Sequence, residues 1–310
     1  MSSSYELFSR GLQNKEKKTN ETYTRRFNDF LARQKVKSDA LTKLEPRAFE
    51  DLVYSYIDEK SKAGAKHSFL NQAVSAVRFF CLQNRINLNF PWLYAQIPKP
   101  TEADEQEDQP YTQAQIDAMI KTAGKDNLRP QVSIAIMAKG GARIGALPTM
   151  RIEPDYFQLV EKYNVLAIQA YPKTRSAYWV LLPPKASALI LKYKAKRTKG
   201  QLFISKHEGA DEIKDGALIS EIWRLAVKAK VRKVNKDRRQ RHKNMLDHAF
   251  RKHHSTTLER AGLRDDHVAR LRGNKKGLKG IYQLPTPLEI IELTGFMGAC
   301  PMLEPEQLSS

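Results

Sequence analysis

Between residues 19 and 93 the apolar positions return every three or four residues. Tyr23, Phe27, Phe30 and Leu31 make one stripe, Phe49, Leu52, Val53 and Ile57 a second, and Phe69, Ala73, Val77 and Phe80 a third. That spacing puts each set on one buried helix face. Breaks near 43–46 and 63–66 separate the stripes, so the first domain, residues 1–97, reads as a small helical bundle. Residues 1–18 are polar and are expected to be loose at their start.

The pattern then stops. Pro98, Lys99 and Pro100 precede Glu102, Asp104, Glu105, Glu107 and Asp108, and Pro110 follows. Prolines and like charges favour an extended, solvated segment, so 98–110 is expected to be an interdomain linker. Thr112 and Gln115 read as a capping box that opens a helix. Helical spacing resumes at 186–196, 218–230, 248–261 and 265–272. Two runs, 164–168 and 177–182, are rich in β-branched and aromatic residues and read as strands. Pro172, Lys173, Thr174 and Arg175 fall in the turn between them. The expected fold is mainly α with a small β-sheet, in two domains, the second spanning 111–284. A tail, 285–310, carries a short amphipathic helix at 288–293.

Composition adds a partner class. The chain has 310 residues, 53 Lys plus Arg against 34 Asp plus Glu, and a formal charge of +19. Such an excess points to a polyanion, nucleic acid before membrane. Residues 228–243 alone hold nine Lys or Arg against Asp237, a run suited to a phosphate backbone. Cys81 and Cys300 are isolated, which gives neither a disulfide framework nor a zinc pattern. Cys81 lies in an apolar run and is expected to be a buried thiol. No apolar segment is long enough to span a bilayer, and residues 1–18 have no signal-peptide core. A soluble protein inside the cell, cytoplasmic or nucleoid-associated, is expected.

One ordered set of residues carries chemistry: Arg143, Lys173, His248, Arg251 and Tyr282. On a helix, His248 and Arg251 share a face. Two guanidinium groups can hold the non-bridging oxygens of a phosphodiester and stay charged. A tyrosine hydroxyl can attack phosphorus and keep the strand as an ester, and a lysine can protonate the leaving oxygen. Arg175 is the nearest rival to Lys173 for that role. Tyr171 and Tyr178 read as strand residues. His242, His253 and His254 lack the partner spacing of a metal site. No metal, cofactor or small-molecule substrate is expected.

The surroundings of these residues resemble the tyrosine recombinase (phage integrase) family. The segments that carry the likeness are Gly141-Ala142-Arg143-Ile144-Gly145, Tyr171-Pro172-Lys173-Thr174-Arg175, Asp247-His248-Ala249-Phe250-Arg251, Leu271-Arg272-Gly273-Asn274 and Ile281-Tyr282. The resemblance implies an N-terminal core-binding domain and a C-terminal catalytic domain. It also implies double-stranded DNA as partner, a homotetramer on DNA, and site-specific cleavage and rejoining through a 3′-phosphotyrosyl link. By the same likeness Arg143 and Arg251 clamp the scissile phosphate, and His248 bonds it or accepts the tyrosine proton. Lys173 protonates the 5′ oxygen, Tyr282 is the nucleophile, and the tail docks on a neighbouring protomer, against packing on its own domain.

Three departures mark a divergent branch, archaeal or from a mobile element. Asn274 stands where the family has His or Trp, with Lys275 and Lys276 as alternatives if the register slips. Ala146 replaces a common acidic residue, and Lys252 a common histidine. A type IB topoisomerase-like enzyme and a DNA-binding relative without catalysis are the alternative readings.

Overall fold

The computed structural model describes residues 3–99, 109–205, 213–234, 246–274 and 285–304. The chain divides into two compact units, Met1–Gln106 and Glu107–Ser310. It is mostly helical with one small sheet.

The first unit contains α1 (Ser4–Gln13), α2 (Lys17–Gln34), α3 (Ser38–Leu41), α4 (Pro46–Lys62), α5 (His67–Gln83) and α6 (Phe90–Ala95). The three predicted stripes lie on α2, α4 and α5. Phe27, Phe30, Phe49, Val53, Ile57, Val77 and Phe80 are buried in one core. Phe27 stacks on Phe80 with centroids 4.5 Å apart. Burying rings of this size is the main favourable term in holding such a bundle together.

From Ser4 the stretch expected to be loose at its start is helical, and Met1 and Ser2 lie outside the described residues. Ser3 and Glu6 form a capping box that opens α1, and Phe8 and Leu12, one turn apart, are buried against α2 and α5. The stretch is polar on average, but its two large apolar residues share one helix face. That is enough to dock it.

The second unit opens with α7 (Gln113–Ala123), whose Thr112–Gln115 capping box forms as predicted. It continues with α8 (Leu128–Gly140), a short 3-10 helix at Ile144–Thr149, and strands β1 (Phe157–Val160), β2 (Val165–Ala170) and β3 (Tyr178–Leu182). Then come α9 (Pro184–Lys194), α10 (Asp215–Lys228), α11 (His248–Arg260), α12 (Asp265–Leu271), α13 (Pro287–Thr294) and α14 (Phe296–Leu303).

The sheet is antiparallel in the order β1-β2-β3. Residue pairs such as Ile168↔Val180 and Ala170↔Tyr178 set its register. Alternation sends successive side chains to opposite faces, and here both faces are covered. Leu166, Ile168, Ala170, Tyr178, Val180 and Leu182 join the central core around α8. Val165, Ala167, Trp179 and Leu181 join a second core built with α11, α12, α13 and α14.

Two elements were not visible in the residue pattern. Every residue of α8 from Pro130 to Gly140 is buried, so it has no polar face and no amphipathic period. β1 is a four-residue edge strand whose Leu159 is exposed, too short to announce itself.

Among the described tail residues, Ile290, Ile291, Phe296, Ala299 and Leu303 belong to the core of their own unit. Glu304, just past α14, accepts from the backbone N–H of Lys185 at 2.9 Å and of Ala186 at 2.6 Å, capping α9. Residues 285–304 thus pack on their own unit, one of the two expected placements, and 305–310 lie outside the described residues.

Candidate phosphate site

The site grows from two turns and one helix. Gly141 ends α8 in the left-handed region, at φ +66°. A Cβ there would collide with the His254 ring, so the close approach of α8 to α11 requires glycine. The turn delivers Arg143 to the start of the 3-10 helix, in extended backbone, with its side chain exposed.

The second turn follows α12. Gly273 N–H bonds to Arg270 O and Asn274 N–H to Ala269 O, each at 2.8 Å. With Gly273 at φ +69°, this is the Schellman closure of a helix. It folds the chain back and aims Asn274 at α11.

Arg251, on α11, meets both turns. It is 4% exposed. Its Nη1 donates to Gly141 O and its Nη2 to Arg272 O, both at 2.5 Å. Nη2 also donates to Asn274 Oδ1 at 3.3 Å. Arg143 Nη2 donates to that same oxygen at 3.3 Å. One amide oxygen therefore joins two arginines that are far apart in sequence.

None of these acceptors carries a charge. Burial, and after it the neighbouring Arg143 and Arg272, press the Arg251 pKa down to about 10, with Tyr178 pulling the other way. Arg272 is lowered too, by burial first and then by Arg143. These guanidinium groups oppose one another, and among the described residues Arg143 and Arg251 have only neutral acceptors. Such a cluster has a strong demand for an anion.

α11 is itself held in place from behind. His253 Nδ1 donates to Tyr111 O at 2.9 Å, and Tyr111 N–H to Ala249 O at 3.3 Å. Burial holds the pKa of His253 at about 4 and of His254 at about 3. Both rings are therefore neutral near pH 7.

The other predicted site residues are more scattered. His248 opens α11 with its side chain exposed, and among the described residues no hydrogen bond joins it to either arginine. Lys173 is exposed in the β2–β3 turn at φ +62°. It lines a cavity of about 340 Å³ with Thr149, Arg151, Tyr171 and Gln201. Arg175 is exposed in the same turn. Tyr282, Lys275 and Lys276 lie outside the described residues, as do 235–245 of the basic run. Among the described residues, no three His, Cys, Asp or Glu side chains group to hold a metal ion. No described helix is long and apolar enough to cross a membrane.

Three residues around the arginines carry roles that the sequence pattern did not assign. Arg272 supplies a carbonyl and a nearby charge. Tyr171 and Tyr178, read as strand residues, lie within electrostatic reach of the arginines: Tyr178 raises the pKa of Arg251, and both arginines act on Tyr171. The β2–β3 turn makes this possible, and apolar alternation does not show it.

No family model matches the chain, and no curated protein matches it in sequence. Solved structures do match it in fold. The Tn1549 transposon integrase in complex with transposon right end DNA is similar over 89% of this chain and 92% of that chain, with a TM-score of 0.63 at 13% identity. The lambda integrase of a tetramer bound to a Holliday junction is similar over 91% and 80%, at 0.56 and 15%. XerH site-specific recombinase bound to palindromic difH substrate is similar over 83% and 73%, at 0.55 and 15%. The chain has the tyrosine-recombinase fold.

Proposed function

We propose that the chain is a site-specific DNA recombinase that cuts and rejoins strands through a 3′-phosphotyrosyl intermediate. The convergence of Arg143 and Arg251 on Asn274 Oδ1, with no counter-charge among the described residues, supports this reading. A phosphodiester supplies the anion that this pair lacks. As the phosphate passes through its five-coordinate state, charge builds on the non-bridging oxygens, and fixed donors stabilise it there more than in the ground state.

In this reading the hydroxyl of Tyr282 attacks phosphorus. The P–O bond to the 5′ oxygen breaks, and Lys173 gives that oxygen a proton. His248 bonds the phosphate or takes the tyrosine proton. The 5′-hydroxyl of a partner strand then attacks the phosphotyrosine and releases the tyrosine. The ester conserves bond energy, so no external energy source enters the balance. Residues 1–97 serve as the core-binding domain, 98–110 as the linker and 111–284 as the catalytic domain. Exchange takes place in a homotetramer on double-stranded DNA inside the cell.

The test is a nicked suicide duplex incubated with the full chain in EDTA. A covalent protein–DNA adduct is expected, lost in Tyr282→Phe while DNA binding persists. Binding without an adduct would assign the chain to DNA-binding relatives without catalysis. Relaxation of supercoiled DNA with no recombinant product would favour the topoisomerase-like alternative.

A further inference from the structure

Tyr171 follows the last residue of β2 with a backbone that tyrosine seldom adopts. Its φ is +51°, and Lys173, two residues on, is at +62°. A left-handed non-glycine residue costs roughly 1–2 kcal/mol, and glycine would remove that cost. A bulky ring kept on such a backbone directs attention to what the ring does.

The turn is firmly tied. Tyr171 N–H donates to Thr149 Oγ1 at 3.0 Å. Tyr171 O accepts from Thr174 N–H at 3.2 Å and from Thr174 Oγ1 at 2.8 Å. Thr149 closes the same 3-10 helix that Arg143 opens. The tyrosine is therefore pinned to the element that presents the first arginine.

Its ring packs near Tyr178, with centroids 6.4 Å apart. Its hydroxyl reaches Gly145, two residues past Arg143, and stands 3.7 Å from where a Cβ on that glycine would be. No hydrogen bond to a described residue occupies the hydroxyl. Burial and Tyr178 raise its pKa, while Arg143 and Arg251 partly offset this. The group stays a neutral O–H, a donor at any working pH.

We propose that the Tyr171 hydroxyl donates a hydrogen bond to a non-bridging oxygen of the scissile phosphate, beside Arg143 and Arg251, and is a further catalytic residue. This rests on the strand-cleavage reading above. It gives the phosphate a neutral donor from the sheet side, pre-set by the strained turn. Tyr171 does not attack phosphorus in this scheme.

The experiment is single-turnover cleavage of the suicide duplex by the full chain, with wild type, Tyr171→Phe and Tyr282→Phe side by side. Tyr171→Phe removes one oxygen and keeps the ring against Tyr178. It is expected to bind DNA as wild type does and to cleave about 100- to 1000-fold more slowly, as when one transition-state donor is lost. The adduct is expected to map to residue 282 in both active proteins. An unchanged rate overturns the proposal, because the hydroxyl would then be idle. A rate loss matched by a loss of DNA affinity overturns it too, since the contact would not be specific to the transition state. An adduct mapping to residue 171 overturns it by making this tyrosine the nucleophile. A wild type that forms no adduct overturns both the strand-cleavage reading and this proposal.

Discussion

Asn274 Oδ1 accepts one hydrogen bond from each of two arginines. Only its carbonyl oxygen can do this, since guanidinium groups donate and never accept. The amide neutralises nothing, so the pair keeps its charge for a ligand. Asn274→Asp tests that point. A carboxylate between the arginines forms stronger, charge-assisted bonds and fills the anion site from within. The folded protein is expected to unfold at the same temperature or higher, while DNA cleavage falls more than about 100-fold, the scale of a lost transition-state donor. Cleavage at the wild-type rate would show that a phosphate does not use this pair. The arginines were legible in the chain because their residue types and order suit a phosphate. The way they meet was not, because it depends on two left-handed glycines and a carbonyl from Arg272. Tyr171 was less legible still, since its place follows from a turn conformation that alternation cannot encode.

Among the helices, visibility in the sequence followed exposure. α2, α4 and α5 each have one wet face, so their stripes predicted them. α8 is buried on all sides and leaves no period, although it is the centre around which the central core of the second unit is built. The tail gave a helix but not its docking face. That face decides whether 285–304 is structural. Phe296 is fully buried, in a core that also holds Trp179 and Leu181 of the sheet. Phe296→Ala is expected to destabilise the second unit by about 3–5 kcal/mol, read as a lower urea midpoint. Glu304→Ala removes the cap on α9 and is expected to cost about 1 kcal/mol. If both variants unfold with the wild-type midpoint, the tail does not contribute to the stability of its own unit.

The whole molecule carries a net charge of +19, and self-repulsion on that scale opposes compactness unless a polyanion relieves it. The excess is not confined to the arginine site. It is dense in 228–243, where nine Lys or Arg stand against Asp237, so many phosphates can be neutralised at once. Each neutralised phosphate releases a counterion. Affinity should therefore fall linearly on a log–log plot against salt, with a slope near −0.9 per phosphate contacted. For six to ten contacts the loss is about 10³- to 10⁵-fold between 50 and 200 mM salt. Fluorescence anisotropy of a labelled duplex measures it. A shallow slope would mean that the charge serves solubility and not a backbone. Random and cognate duplexes should show similar slopes and different intercepts, because phosphate contacts are blind to sequence and base contacts are not. Equal intercepts as well would leave the chain a non-specific binder and remove site specificity from the proposed function.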